Sequence, residues 1–481
     1  MLKQLWRDSV AYSIGRVLTA VLGIFLLPLY TAHLAPNQYG LYDMGNAIIS
    51  IAMLIVALEI AQGAARYYCE DEDPRRRREY FSTALFFTLG AFALLWAVAL
   101  LSAPHLTESL LGPDARPDTL LLVAGAATAG AAFRLGQAQL RWMLRPRAFL
   151  ACTLLQVVLG AAIATALVVH WDSGAHGLIW GLVGGNGAGF LLALWLGRRG
   201  IGLSWSSVRL REMLAFSLPL VASSGAVWVA LYIDRLAIKE LMTMADVGRY
   251  GVAYRFAAAI EIVMFGFDKA FIPLLYANYR DPNTPPALAK LLRILVVVGG
   301  AILLALAAAS HELLHVLVDP AYRDGAQLIP VLATSVLLTR LGNLGPGLWI
   351  ANRTGLIAWI NVGVAIMNLL LNLLLIPVLG VMGSALATAT SALIGFVVNM
   401  RASQRLYPSP HAWRRVVLGS VAIATGIAAL LWLGARWPPL SGLGMALKVL
   451  TAASSLLLAA VAVLQGEEWA ALGRFLRRLR A

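Results

Sequence analysis

The sequence predicts an all-α integral membrane protein of about fourteen transmembrane helices. Three observations lead there. Of its 481 residues 60% are hydrophobic and only 13% are charged, with a mean hydropathy of +0.77; soluble domains carry about 25% charged residues. The apolar residues fall in long runs, each able to cross about 30 Å of hydrocarbon as a helix. The basic residues that produce a net charge of +14 sit mainly in the short links between those runs. That placement is the signature of membrane topology and argues against nucleic acid as a partner.

The apolar runs cover roughly residues 10–33, 38–65, 81–103, 118–142, 148–170, 176–197, 212–236, 246–278, 288–310, 326–350, 354–377, 381–401, 413–434 and 442–464. Several links are only a few residues long, which makes consecutive spans antiparallel neighbours. With the N-terminus in the cytoplasm, alternation places 25 Lys and Arg on the inside and 6 outside. The outside set is Arg116, Lys239, Arg249, Arg323, Arg436 and Lys448. This bias predicts cytoplasmic N- and C-termini. The segment 467–481 reads as a basic amphipathic tail on the cytoplasmic surface. The first apolar run is long and lacks a small-residue cleavage site, so no removable signal peptide is expected. The two cysteines, Cys69 and Cys152, are too few for a disulfide framework.

The chain repeats itself. Tyr39-Gly40 in span 2 matches Tyr250-Gly251 in span 8. Arg134-Leu135-Gly136-Gln137 in span 4 matches Arg340-Leu341-Gly342-Asn343 in span 10, and Gly181 in span 6 matches Gly383-Ser384-Ala385 in span 12. All three anchors pair spans six apart. Six is even, so the copies are parallel. The expected organisation is an N-terminal lobe of spans 1–6 (residues 1–205), a C-terminal lobe of spans 7–12 (206–405), spans 13–14 (406–466) and the tail. Transporters commonly place a substrate path between two such halves.

Twelve ionisable residues lie inside spans: Arg16, Arg66, Arg134, Arg235, Arg255, Lys269, Arg340, Asp43, Glu59, Asp234, Glu261 and Asp268. Facing lipid they would cost roughly 36 kcal/mol on the insertion scale. Many must therefore face a wet interior or one another. Tyr254, Glu261 and Asp268 are seven apart and share one face of a helix. Arg16, Arg134, Arg255, Arg340 and Lys269 are candidates for an anionic substrate, because guanidinium forks match phosphate. Asn368 belongs to a polar stripe with Asn361 and Asn372 that serves either the path or helix packing. Asp43, Glu59, Glu261 and Asp268 are candidates for proton coupling, since a carboxyl taken out of water holds its proton to higher pH. Asp234 and Arg235 are read as a gate or a local ion pair. Glu59 and Arg66 could pair along one helix, and Pro273 should kink span 8. There is no phosphate-binding glycine loop, no zinc spacing and no nucleophile set, so the reading is a transporter without a cofactor, driven by an ion gradient such as protons or sodium, by the membrane potential or by the substrate's own gradient.

Tyr232-Ile233-Asp234-Arg235, followed by Val247-Gly248-Arg249-Tyr250-Gly251-Val252-Ala253-Tyr254, resembles the start of the second half of Wzx-type polysaccharide flippases. Asn368 through Thr388, with Ile376-Pro377 and a Gly380-x-x-Gly-Ser-Ala run, is similar to the same family, as is the opening from Tyr12 to Tyr42. The resemblance implies the multidrug/oligosaccharidyl-lipid/polysaccharide exporter superfamily and a MATE-like fold. It further implies translocation of an undecaprenyl-pyrophosphate-linked oligosaccharide from the inner to the outer leaflet, for O-antigen or exopolysaccharide synthesis. A polysaccharide polymerase or chain-length regulator would be the protein partner. A lipid II-type flippase and a cation-coupled drug or metabolite antiporter share the superfamily. A polymerase or ligase would need the large outer loop that this sequence lacks.

Overall fold

The computed structural model describes residues 15, 18–19, 21–113, 115–466 and 468–469. Arg16 and nearly all of the basic tail lie outside them. The described residues form helices joined by short turns and 3₁₀ segments, with no strand. We number the helices α1 (Leu27–His33), α2 (Pro36–Ala57), α3 (Ile60–Glu70), α4 (Pro74–Leu111), α5 (Pro117–Trp142), α6 (Pro146–Trp171), α7 (Gly174–Gly197), α8 (Ser207–Leu241) and α9 (Met244–Ala257). They continue as α10 (Ala259–Asn278), α11 (Thr284–Leu317), α12 (Leu328–Leu341), α13 (Gly347–Ile350), α14 (Thr354–Leu379), α15 (Val381–Leu406), α16 (Trp413–Arg436) and α17 (Gly442–Val463).

Twelve stretches are long and apolar enough to cross a membrane. They coincide with twelve of the fourteen expected spans. The two that differ do so for local reasons. Span 1 is described only in part, as the apolar helix Val21–His33. Span 8 is two helices, α9 and α10, interrupted at Ala258. There the amide of Glu261 bonds the Ala258 carbonyl at 2.9 Å, three residues back, which tightens the chain. The interruption thus precedes Pro273, where a kink was expected. Span 2 also ends early: Leu58 and Glu59 both take positive φ, 49° and 51°, and split α2 from α3. This break removes the Glu59–Arg66 pair. Arg66 instead meets Glu70 on its own helix at 3.4 Å, with both side chains largely exposed.

Prolines open α2, α4, α5 and α6, where a missing N–H costs nothing. The chain divides into two compact units, Met1–Gly251 and Val252–Ala481. In the first, α5 is the most enclosed span, with 72% of its apolar window buried. Gly181 packs α7 on α6: a Cβ there would lie 2.6 Å from the Gly160 carbonyl oxygen and from the Ala164 Cβ. In the second unit the 3₁₀ segment and α12 form the most enclosed span, Pro320–Leu344, at 67%. Gly383 likewise lets α15 press on the Leu375 carbonyl of α14. Small residues at such crossings replace the hydrophobic drive that lipid cannot supply.

Candidate functional site

The in-span charges resolve into separate constellations. In the first unit, α8 delivers Asp234 and Arg235, α2 delivers Asp43 and α9 delivers Tyr250. Arg235 donates from Nε to Asp43 Oδ2 at 3.0 Å, and from Nη1 to Asp234 Oδ1 at 2.9 Å and to the Leu231 carbonyl at 3.0 Å. The Tyr250 hydroxyl donates to Asp234 Oδ2. The guanidinium also lies over the rings of Tyr232 and Tyr250, 5.5 and 5.3 Å from their centroids. Asp43, Asp234 and Arg235 are 9%, 2% and 4% exposed. Two carboxylates share one guanidinium in a buried site, which works only because nearly every lone pair finds a donor.

Backbone contact makes this cluster possible. Gly40 of α2 and Gly248 of α9 meet face to face: a Cβ on Gly40 would collide with the Met244 carbonyl, and one on Gly248 with the Pro36 carbonyl. One turn further, Gly251 faces the Asp43 carboxylate.

Arg134 lies on α5 among buried neighbours, yet its own side chain is exposed. Glu59 and Tyr232 are within electrostatic reach of it. Glu59 is half-buried and stands at the N-cap of α3. Tyr232 is stacked on Trp228 at 5.5 Å and its hydroxyl lies 3.3 Å from that of Ser50. Arg134, Glu59, Tyr232 and Ser50 therefore mark a polar strip in the first unit.

In the second unit Arg340 of α12 donates from Nη2 to Glu261 Oε1 of α10 at 3.1 Å. Their side chains keep 35% and 44% of their surface exposed, so this pair is open. Arg255, on α9, is half-buried and has partners of its own. Asp268 and Lys269 lie on α10, and their side chains are outside the description. Asn368 is only 4% exposed. Its amide donates to Ser391 at 3.0 Å and Thr388 at 3.4 Å. Asn372 donates to Asn368 Oδ1 at 2.7 Å and accepts from Ser384 at 2.7 Å. This ladder binds α14 to α15.

Two buried ion pairs escaped the sequence reading. Lys448, assigned above to an outer link, is 2% exposed inside α17 and reaches Glu312 of α11 at 2.6 Å. Arg293, one of the 25 basic residues counted on the inside, is 7% exposed on α11 and holds Glu468 at 2.6 Å. The available signal was position, since residues 293 and 448 both fall within apolar runs. Nothing in the sequence marked Glu468. Beside Arg293, the link ahead of α16 buries both ring nitrogens of His411 without a partner among the described residues. Burial, and secondarily the Arg293 charge, push that imidazole down to about 4.

Comparison with known proteins gives the same architecture. The profile of a family described as "Polysaccharide biosynthesis protein" matches residues 5–278. No curated protein sequence matches the chain. Among solved structures, the lipid II flippase MurJ in an inward closed conformation aligns with a TM-score of 0.65 at 13% identity, covering 94% of this chain and 98% of that one. An inward-facing multidrug resistance MATE family transporter of the MOP superfamily aligns with a TM-score of 0.67 at 13% identity, covering 82% and 97%. An outward-facing multidrug resistance MATE family transporter gives 0.57 at 17% identity, covering 84% and 95%. At these identities the likeness is one of fold.

Proposed function

We propose, from the premise that the chain belongs to the polysaccharide biosynthesis protein family, that it is a flippase for a polyprenyl-pyrophosphate-linked oligosaccharide. The observation that carries the reading is Arg134. In the expected topology it falls in the cytoplasmic half of the most enclosed span of the first unit, and it is an exposed residue flanked by buried ones. An arginine held in lipid costs roughly 3 kcal/mol or more, so an exposed one at that depth is explained by a hydrated path. Arg340 occupies the matching position of the repeat and keeps 35% of its side-chain surface exposed while paired with Glu261. Guanidinium groups bind pyrophosphate oxygens with paired hydrogen bonds. Arg255, Lys269 and Arg16 would extend the cationic lining. Sugars would move through the wet path while the polyprenyl chain stays in hydrocarbon. An apolar crevice of about 370 Å³ in the second unit, walled by Val296, Leu303, Leu338, Ile423 and Ile427, suits such a chain.

Glu261 is the proton-coupling candidate of choice, because it is accessible and grips Arg340, a proposed phosphate ligand. Protonation would release that arginine to the cargo. Glu59, next to Arg134, is the counterpart in the first unit. Asp43 is already engaged by Arg235 and contributes to a structural or gating cluster. The expected setting is a bacterial inner membrane with both termini cytoplasmic, supplied by glycosyltransferases and followed by a polymerase.

The test is reconstitution into proteoliposomes with polyprenyl-pyrophosphate oligosaccharide and an imposed pH gradient. Arg134→Ala with Arg340→Ala should lower flipping at least tenfold, an effect of about 1.4 kcal/mol on the barrier, while the protein elutes as the folded species. Glu261→Gln should flip without responding to the gradient. Full flipping by the arginine double variant would remove the site. Transport of lipid II in preference to the oligosaccharide would reassign the cargo.

A further inference from the structure

A second basic site, built from other residues, lies at the end of a helix pair in the second unit. A cleft of about 470 Å³ opens between the start of α14 and the last turn of α15. Arg353, Arg405, Asn352, Gly355 and Leu356 line it, and no carboxylate does. Asn352 takes a positive φ of 54°. That turn, closed by the Arg353 amide on the Leu348 carbonyl at 2.9 Å, sets Arg353 at the mouth of the cleft. Both arginines are exposed, and neither guanidinium makes a hydrogen bond or ion pair among the described residues.

The depth of the cleft follows from its helices. Thr354–Leu379 and Val381–Leu406 are both candidate membrane spans, and the cleft lies where one begins and the other ends. It therefore sits at the level of lipid headgroups. Apolar surface starts immediately beside it. Leu356 is 46% exposed, Leu406 41%, and Trp359, one helical turn beyond Gly355, 75%. Trp at such a level marks the boundary between headgroup and chain. Two unpaired cations followed by exposed apolar surface is the pattern of an amphiphile with an anionic head. Basic pockets between membrane helices are known to take phosphate headgroups.

We propose that this cleft binds the phosphate headgroup of an anionic glycerophospholipid of the surrounding leaflet, with Arg353 and Arg405 as its ligands and the acyl chains along Trp359 and Leu356. The cleft shares no residue with those proposed for the flipping path. Binding would hold the α13–α14 turn against the end of α15.

Native mass spectrometry of the purified full chain tests this, with titrated phosphatidylglycerol, phosphatidylcholine or polyprenyl pyrophosphate. Arg353→Ala with Arg405→Ala should weaken phosphatidylglycerol retention about tenfold, the loss expected for paired charge-assisted bonds. Arg401→Ala is the control. It removes an equally exposed charge one turn away, outside the cleft, and should leave retention unchanged. All three arginines are exposed, so a thermal unfolding curve should confirm intact folding. Equal weakening by Arg401→Ala, unchanged retention in the double variant, or equal retention of phosphatidylcholine would overturn the proposal. So would displacement by polyprenyl pyrophosphate together with weak phosphatidylglycerol binding, which would assign the cleft to the cargo's head instead.

Discussion

Replacing Arg235 with methionine should destabilise the protein by about 3–5 kcal/mol, the range measured when one partner of a buried ion pair is removed. The guanidinium makes four hydrogen bonds, to Asp43 at 3.0 Å, to both oxygens of Asp234 at 2.9 and 3.2 Å, and to the Leu231 carbonyl at 3.0 Å. Its loss strands two carboxylates, 9% and 2% exposed, while the Tyr250 hydroxyl and the backbone amide of residue 235 still donate to Asp234. The cost is the orphaned charge rather than the lost bonds. The prediction therefore extends to a cycle. In an Asp43→Asn, Asp234→Asn background Arg235 is itself the unpaired buried charge, so the same Arg235→Met change should cost little or even stabilise. Chemical denaturation in a mild detergent measures each corner. The difference between the two costs should be at least about 2 kcal/mol, well above the additivity limit for uncoupled sites. Equal costs in the two backgrounds would refute the claim that the cluster is held by charge, and would leave only packing of the arginine stem.

Two further changes probe the frame around the sites. Gly40→Ala should lower stability by at least about 1–3 kcal/mol, the usual toll of overpacking, because its Cβ meets backbone on α9 that cannot yield; Gly90→Ala, with open space above it, should show no such loss in the same melt. The pH dependence near His411 has a definite sign. Its folded value of about 4 lies below the ordinary 6.5, so the unfolded chain takes up the proton first as pH falls. Stability from this residue is full above about pH 6.5 and declines toward pH 4, by at most about 3 kcal/mol. His411→Leu should flatten that part of the pH–stability curve; an unchanged slope would assign it to other groups.

The span pattern was legible because hydrocarbon imposes length and apolarity on each helix, whatever its neighbours do. The breaks were not. Leu58 and Glu59 carry no glycine or proline signal, and only the surrounding packing places them in the left-handed region. Pro273 carries a strong signal, yet the chain is interrupted at Ala258. The candidate charges were visible as residues out of place in apolar runs. Their partners were not, because pairing depends on how far each helix turns about its axis. Asp43 and Asp234 converge on Arg235 although Asp43 lies far away in the chain. Asn368 and Asn372 fitted either the path or helix packing, and their partners Ser391 and Ser384 could be named only once α15 was placed.

The left-handed pair at Leu58 and Glu59 has a mechanical consequence. Each such backbone costs on the order of 1–3 kcal/mol, so this elbow is a loaded joint rather than a slack one. The side chain at the joint is also the acid nearest Arg134 in charge terms. Electrostatic force on that carboxylate is thus exerted at the fulcrum, with α2 and α3 as lever arms.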